Sequence, residues 1–199
     1  MNRQLIATTS VAAFFVTALL VRPAWLKWKT GRWGVNGLSG PVGSAGWWGG
    51  ASFIASMIAT ALALGLSAIP TPEVVAIAGL ALLGAGMVLT VLAQSGMGTS
   101  WRIGVQETER TALVTTGLFA WVRNPIFTGM GAFLAGLALV WPNAASLIGF
   151  GAFVIGVQLQ VRFVEEPWLI AQHGDAWRSW ARRVGRFLPG VGLSASRAE

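Results

Sequence analysis

The chain has 199 residues, of which 54% are hydrophobic and only 11% charged, and its formal net charge is +7. A soluble domain carries about 25% charged residues, and a water-soluble globule of this length could not bury so much apolar surface. Most of the chain is therefore predicted to lie in lipid. The sequence has no cysteine and a single histidine, His173, which excludes disulfides, thiolate metal sites and histidine-rich metal centres.

Five apolar runs follow one another without a soluble insert, and each is long enough to cross a bilayer as a helix. They predict one all-α integral membrane domain with about five transmembrane helices. The runs are residues 5–21, 47–69, 74–93, 125–141 and 144–164. The first run could instead be a secretory signal peptide, because Asn2 and Arg3 precede it. It ends in LLVRP without a small-residue cleavage site, however, which favours a retained helix.

The stretch 22–44 is predicted to be a loop. Its first half interleaves four basic residues with three tryptophans, namely Arg22, Lys27, Lys29 and Arg32 with Trp25, Trp28 and Trp33. Such a pattern can indicate nucleic-acid binding, but beside a transmembrane span it favours a belt against anionic lipid headgroups. We therefore expect bilayer lipids as partners and no nucleic acid. Five glycines and Pro41 disfavour a helix through the end of the loop.

Spans two and three are separated by the short sequence Pro-Thr-Pro at 70–72. Because proline cannot continue a helix and the connection is short, these spans are expected to form an antiparallel hairpin. Span four is short and contains Gly129, Gly131 and Gly136. These glycines are expected either to allow tight helix packing or to form one wall of an opening toward the lipid.

The segment 167–189 has the pattern of an amphipathic helix. Apolar residues recur at helical spacing with basic residues mostly opposite, the apolar set being Trp177, Trp180, Ala181, Val184 and Leu188. This pattern is typical of a C-terminal helix lying in the membrane interface, and a lid over a cytoplasmic pocket is the alternative. Small and polar residues predict a flexible tail at 190–199.

The basic residues are distributed asymmetrically between the two sides of the predicted five-span topology. All 14 Lys and Arg residues except Arg3 fall in the connections after spans one and three or in the C-terminal segment. The positive-inside rule then places the C-terminus in the cytoplasm and the N-terminus outside.

Polar residues gather at the ends of two apolar spans, where burying them is costly unless they are paired. Arg162, Glu165 and Glu166 have i, i+3 and i+4 spacing, which would place them on one helical face. They are either an ion-pair anchor at the interface or a ligand site. Because Pro167 follows, the carboxylates stand at a kink or a helix end, where they could face an ammonium, ribose hydroxyls or a sulfonium.

The second polar group is the corner Arg123, Asn124 and Pro125 at the start of span four. The free amide groups of a new helix could hold an anion there, or the corner could simply cap the helix. The sequence contains no Ser-His-Asp or Cys-His arrangement, no Walker loop and no GxGxxG. Hydrolysis and hydride transfer therefore lack their usual sequence support.

Two sequence blocks, in this order and at this separation, resemble a known family. The first is LVTTGLFAWVRNPIFTG at 113–129, and the second comprises Glu165, Glu166, Gly174, Trp177, Trp180, Arg186, Phe187 and Pro189. Together they resemble the signature of isoprenylcysteine carboxyl methyltransferases and the related phospholipid methyltransferases, over roughly residues 98–189. Asn124 stands where that family usually has His, and Phe or Trp stands where it usually has Tyr.

The resemblance implies a membrane enzyme that uses S-adenosyl-L-methionine to methylate the carboxylate of an isoprenylated or other lipophilic acceptor, leaving S-adenosyl-L-homocysteine. It implies catalytic roles for Arg162, Glu165 and Arg123. It also implies that the methyl donor is bound by Gln106, Thr111, Ala112, Leu113, Val114, Phe119, Asn124, Pro125, Ile126, Phe127, Glu165 and Glu166. Residues 1–93 would be a three-helix scaffold and residues 94–189 the catalytic part, at the cytoplasmic face of a bacterial inner (plasma) membrane.

Methyl transfer suits a site that has no catalytic His or Cys. A sulfonium is already an activated electrophile and a carboxylate is already a nucleophile, so alignment and desolvation are the main requirements. A lipid amine or another isoprenoid is the alternative acceptor. A transporter or a structural membrane subunit is the non-enzymatic alternative, although the sequence shows no repeated halves.

Overall fold

The computed structural model describes residues 2–34, 38–102, 104 and 112–194. Within these residues the chain forms seven α-helices: α1 (Arg3–Phe15), α2 (Arg22–Thr30), α3 (Ala45–Ala63), α4 (Glu73–Gly96), α5 (Pro125–Val140), α6 (Ala144–Gln160) and α7 (Glu166–Ala181). Two π-helical segments, Val16–Val21 and Val161–Glu165, join α1 to α2 and α6 to α7. The predicted all-α class is confirmed.

Three continuous helical runs are long and apolar enough to cross a membrane: Arg3–Thr30, Glu73–Gly96 and Ala144–Ala181. Helix α5 is apolar but has only 16 residues, and α3 has 19. Ile58 of α3 and Ile148 of α6 are exposed, as a lipid-facing surface requires. These features support an integral membrane protein, and the number of five spans stays a prediction.

The first helical run is longer than the sequence predicts. The expectation of a loop from residue 22 is wrong, because α2 continues the helix to Thr30 and ends at Gly31, whose φ is 76°. The wide turns of the π segment Val16–Val21 precede Pro23, and they relieve the clash between a proline ring and the preceding helical turn. Arg22 is consequently buried rather than part of an exposed belt.

The helices pack in two antiparallel pairs, α3 with α6 and α4 with α5. The predicted packing of α3 against α4 is therefore wrong, because each of them pairs with a later helix. Glycines account for the choice of partner. A Cβ on Gly129 of α5 would lie 2.8 Å from the Gly86 carbonyl oxygen of α4 and 2.6 Å from the Thr90 hydroxyl. Helix backbones approach this closely only where side chains are small.

The remaining glycines of α5 also serve packing. A Cβ on Gly136 would lie 2.6 Å from the Gly79 carbonyl oxygen of α4, and one on Gly131 would lie 3.3 Å from the Phe153 ring of α6. The interpretation of these glycines as one wall of an opening toward the lipid is therefore wrong.

Gly86→Ala is expected to destabilise the protein by about 1–3 kcal/mol, the usual cost of overpacking a tight contact. Its added Cβ would lie 2.6 Å from the Gly129 carbonyl oxygen, a contact between backbones that cannot simply rotate away. Gly84, on the same helix, has open space at its Cβ position, so Gly84→Ala should be neutral or stabilising by up to about 1 kcal/mol. Thermal unfolding of both variants in one detergent measures the difference, and equal effects would contradict the packing assignment.

The C-terminal segment packs over the polar end of the bundle. Helix α7 bends at Gly174, and Trp177 and Trp180 are buried in a small core with Phe119. Most of the apolar face predicted for headgroups is thus covered by protein, and the alternative of a lid agrees with the structure. The Ser194 amide donates to the Ala181 carbonyl at 3.0 Å, so the segment that follows residue 190 is tied to α7 as far as Ser194.

Candidate active site

A cavity of about 440 Å³ lies where the polar end of the bundle meets its apolar helices. Its volume falls in the range of small-molecule pockets. Its polar end is built by the end of α4, the connection 112–124, the start of α5 and the start of α7. Its apolar end runs along α3 and α6.

The apolar end reaches deep into the bundle. On α3 it is lined by Gly49, Gly50, Phe53, Ile54 and Met57. The α3 lining runs from Gly49 to Met57, eight residues further along, which corresponds to about 12 Å along a helix rising 1.5 Å per residue. The apolar end therefore covers a little under half of the roughly 30 Å thickness of a bilayer's hydrocarbon core.

Nine of the residues predicted to bind a cofactor line this one cavity: Ala112, Leu113, Val114, Phe119, Asn124, Pro125, Ile126, Phe127 and Glu165. They come from three separate parts of the chain. Gln106 and Thr111 lie outside the described residues, and their assignment stays a prediction. Glu166 belongs to a neighbouring ion-pair network instead.

The two adjacent carboxylates have different environments. Glu165 is half-buried and lines the cavity. Glu166 accepts hydrogen bonds from Arg123 Nη2 at 2.8 Å, from Arg186 Nε at 2.8 Å and from Arg186 Nη2 at 2.9 Å. Glu165 is therefore placed to meet a ligand, whereas Glu166 ties together the segments around the cavity.

Arg123 holds the C-terminal segment in place. Its side chain is buried, and Nη1 donates to the carbonyls of Ala181 and Val184 at 2.8 Å each, while Nη2 donates to the Gly192 carbonyl at 3.0 Å. Burial lowers the pKa of the guanidinium, and Glu166 acts in the opposite direction. With these bonds made, Arg123 is a structural clamp at the cavity wall.

Asn124 continues this clamp along the backbone. Its amide nitrogen and its Nδ2 both donate to the Arg186 carbonyl, at 3.1 and 3.0 Å. The side chain does not cap α5. Thr128 adds a bond from Oγ1 to the Phe187 carbonyl at 2.8 Å. The alternative expectation, that Asn124 simply caps the N-terminus of α5, is therefore wrong. Its side-chain amide joins the start of α5 to the C-terminal segment instead.

Arg162 is not brought into the cavity. It is exposed and donates from Nε to Gln158 Oε1 at 2.7 Å. The α-helical spacing that placed it beside the two carboxylates does not hold, since Val161–Glu165 is π-helical and its turns contain more residues. The expectation that Arg162 shares a face with Glu165 is therefore wrong.

Sequence reasoning missed several residues of the polar end. Arg102 lines the cavity and lies with its guanidinium 4.3 Å from the centre of the Trp168 ring. Gln94 and Trp101 also line the cavity and are buried. The one feature of the sequence that could have identified these residues is their position at the end of an apolar span, next to a polar connection.

No group of three His, Asp or Glu side chains that could hold a metal occurs in the described part of the chain.

The family model described as phospholipid methyltransferase matches residues 74–176, just over half of the chain. The chain belongs to the phospholipid methyltransferase family. The matched residues include α4, α5, α6 and most of α7, so this family segment supplies most of the cavity's polar end. Helices α1, α2 and α3 lie outside it.

Two curated relatives of this family member are named protein-S-isoprenylcysteine O-methyltransferase. The protein from Dictyostelium discoideum is 27% identical over 108 residues, which cover 53% of this chain and 46% of the relative. The protein from Schizosaccharomyces pombe (strain 972 / ATCC 24843) is 24% identical over 100 residues, which cover 50% of this chain and 42% of the relative. The matches thus span less than half the length of these relatives.

The fold is similar to that of a solved eukaryotic intramembrane Ras methyltransferase, isoprenylcysteine carboxyl methyltransferase. The TM-score is 0.62 at 18% identity, and the match covers 98% of this chain and 70% of that one. The likeness shows that α1 to α3 belong to the same fold as the family segment.

Proposed function

We propose that this protein is an integral membrane methyltransferase that moves a methyl group from S-adenosyl-L-methionine to the carboxylate of an isoprenylated or other lipophilic acceptor. The observation that carries the proposal is a single cavity with two unlike ends. One end holds charged and aromatic side chains, and the other is an apolar groove along α3 and α6. Family membership and the names of the relatives support the same chemistry.

The polar end fits the methyl donor. Glu165 and Arg102 supply opposite charges there, and the donor's amino-acid part carries an ammonium and a carboxylate that these groups can pair with. The Glu165 carboxylate can also accept hydrogen bonds from ribose hydroxyls. The rings of Phe119 and Trp168 offer faces for a positively charged sulfonium.

The apolar end fits the chain of a lipophilic acceptor. A charged donor cannot approach through hydrocarbon, and an apolar chain is most stable within it. The groove past Gly50, Phe53 and Met57 would take the chain, so that its carboxylate lies at the junction with the polar end. Residues 1–93 are then more than a scaffold, because α3 supplies the groove for the acceptor.

When bound, the donor supplies an electrophilic methyl group on a sulfonium. An oxygen of the acceptor carboxylate forms a bond to that methyl carbon as the carbon–sulfur bond breaks, and sulfur keeps the electron pair. The products are a methyl ester and a thioether, and no proton changes place. The protein therefore has to align the two reactants and exclude water rather than act as a base.

The two ends of the bundle support a proposal for the orientation in the membrane. Arg22 contacts Gly98, so the connections after α2 and α4 lie at the same end as the cavity's polar part. Arg3 contacts Thr71 and therefore marks the opposite end. We propose that the basic end is cytoplasmic, with the N-terminus outside, in agreement with the positive-inside rule.

The direct test of the donor assignment is binding of S-adenosyl-L-homocysteine to the purified protein, measured by calorimetry in detergent. Saturable binding at one site per chain is expected. The absence of binding to a folded sample would remove the methyltransferase proposal.

A lipid amine is the second candidate acceptor. The outward position of Arg162 favours it, because this guanidinium does not face the place where an acceptor carboxylate would lie. Methylation of a neutral amine leaves a cationic product, which the Glu165 carboxylate could stabilise. The two candidates differ in the alkali stability of the product.

Met57→Trp is expected to raise the KM for a lipophilic acceptor about tenfold or more, because the larger ring fills the apolar groove. The affinity for S-adenosyl-L-homocysteine should be unchanged, since Met57 lies at the far end from Glu165. Ile58→Trp is the matched control, because Ile58 is exposed and is not among the lining residues. If the two variants behave alike, or if donor affinity falls with acceptor affinity, the groove is not the acceptor site.

A further inference from the structure

Arg22 is a buried arginine at the junction of α1 and α2, directly after the π segment Val16–Val21. It is only 8% exposed, and its Nη2 donates to the Gly98 carbonyl. Its guanidinium lies 4.4 Å from the centre of the Trp25 ring and 5.3 Å from that of Trp101. Arg22 is thus held between its own helix and the segment that follows α4.

The segment that Arg22 contacts forms part of the cavity's polar wall. Trp101 is 3% exposed and lines the cavity, and Arg102 follows it directly. Leu19, one turn before Arg22, lines the same cavity. Gln94 adds a second link from this wall, because its Nε2 donates to the Ala18 carbonyl at 3.4 Å.

An interfacial anchor does not account for this arrangement. Anchoring arginines and lysines keep their charged groups in water or among headgroups, as the exposed Lys29 beside Trp28 does. Arg22 is buried, and its Nε has no hydrogen-bond partner in the described part of the chain. Burying a guanidinium with incomplete bonding costs stability, so anchoring at the interface does not explain the position of Arg22, whereas its contacts with the cavity wall do.

We propose that Arg22 is a positioning residue for the methyl-donor end of the cavity. It holds the Gly98 carbonyl and the Trp101 ring, and through them it fixes where Arg102 stands relative to Glu165. The first helical run, which lies outside the matched family segment, is then part of the donor site. This inference rests on the proposed function for its ligand, whereas the contact itself can be tested without any ligand.

The first experiment compares Arg22→Gln with Lys29→Gln, which removes one positive charge from the same helix at an exposed position. Hydrogen exchange is followed by mass spectrometry on peptides that cover residues 98–102. We expect faster exchange there in Arg22→Gln and an unchanged rate in the control. Equal rates in both variants would overturn the proposed positioning, whatever the ligand is.

The second experiment measures the Kd for S-adenosyl-L-homocysteine. Arg22→Gln should raise it about fivefold to thirtyfold, the effect of losing one hydrogen bond and one cation–π contact. Arg22→Lys should restore part of the affinity, because an ammonium can still donate to the Gly98 carbonyl. Lys29→Gln should stay within about twofold of the wild type, as expected for an exposed charge.

A double-mutant cycle tests whether Arg22 acts through Trp101. If it does, Trp101→Leu and Arg22→Gln together should weaken binding by clearly less than the product of their separate effects. Multiplicative effects, or a wild-type Kd in folded Arg22→Gln, would overturn the inference. A wild-type protein that binds no S-adenosyl-L-homocysteine would instead overturn the proposed function, and the exchange experiment would still decide the role of the contact.

Discussion

Glu165→Gln is expected to raise the Kd for S-adenosyl-L-homocysteine roughly tenfold to more than a hundredfold. The substitution keeps the shape of the side chain and removes its charge, and a hydrogen bond to a charged group contributes about 1.5–3 kcal/mol. Glu165 is the only carboxylate lining the cavity among the described residues, so no neighbouring acid can take its place. Calorimetry on the purified variant measures the effect.

Asp175→Asn is the matched control for Glu165→Gln. Its carboxylate side chain is 98% exposed and pairs with Arg178 at 3.0 Å, away from the cavity. The control should bind S-adenosyl-L-homocysteine as the wild type does. An unchanged Kd in folded Glu165→Gln would reduce this carboxylate to an interfacial group and would remove the donor assignment at this end of the cavity.

Arg123→Met is expected to destabilise the protein by about 3–5 kcal/mol, the typical result of removing one partner from a buried ion pair. The guanidinium is buried, and four hydrogen bonds to Glu166 and to three backbone carbonyls end with it. Methionine has a similar length and no donor, so those carbonyls lose their partner. The loss should appear as a lower unfolding temperature in detergent.

Arg178→Met is the control for Arg123→Met, because Arg178 forms an exposed ion pair with Asp175. Exposed pairs contribute about 0–1 kcal/mol, so the unfolding temperature should change little. If both variants unfold at the same temperature, Arg123 is not the clamp of the C-terminal segment. A stable Arg123→Met with lost ligand binding would instead return Arg123 to a role in the site.

The sequence could predict which segments meet at the site. In a chain that otherwise lies in lipid, the positions at which Arg, Asn and Glu interrupt the apolar runs indicate where a polar site forms. The residues 112–127 and Glu165 stand at such interruptions, and nine residues of that range line one cavity together with Glu165. A membrane chain cannot leave polar groups in hydrocarbon, so groups at the ends of neighbouring spans tend to come together.

The sequence could not predict details that depend on local helix geometry. The π turn at Val161–Glu165 turns Arg162 away from the cavity, and nothing in the residue types there signals it. A similar turn carries the first helix past Pro23. The separate environments of Glu165 and Glu166 follow from Arg123 and Arg186, which approach from distant parts of the chain.

The pairing of the helices also could not be predicted from local sequence patterns. A short connection predicts neighbours in space, but the pairs here are chosen by matching glycines on helices far apart in sequence. Gly49 of α3 meets Gly156 of α6, where a Cβ on the latter would lie 2.9 Å from the Gly49 carbonyl oxygen. Such matches depend on the relative rotation of two helices, which their separate sequences do not state.

The most direct measurement of the central claim uses S-adenosyl-L-methionine with a labelled methyl group. The purified protein is incubated with this donor and an S-prenylated cysteine acceptor, with Glu165→Gln as the comparison whose donor binding is weakened. We expect label to enter the lipid phase and to be released as methanol by mild alkali, as a carboxyl methyl ester requires. Label that stays bound after alkali would show an amine as the acceptor. No transfer of label to the prenylated acceptor by a folded protein that binds the donor would contradict the proposed function.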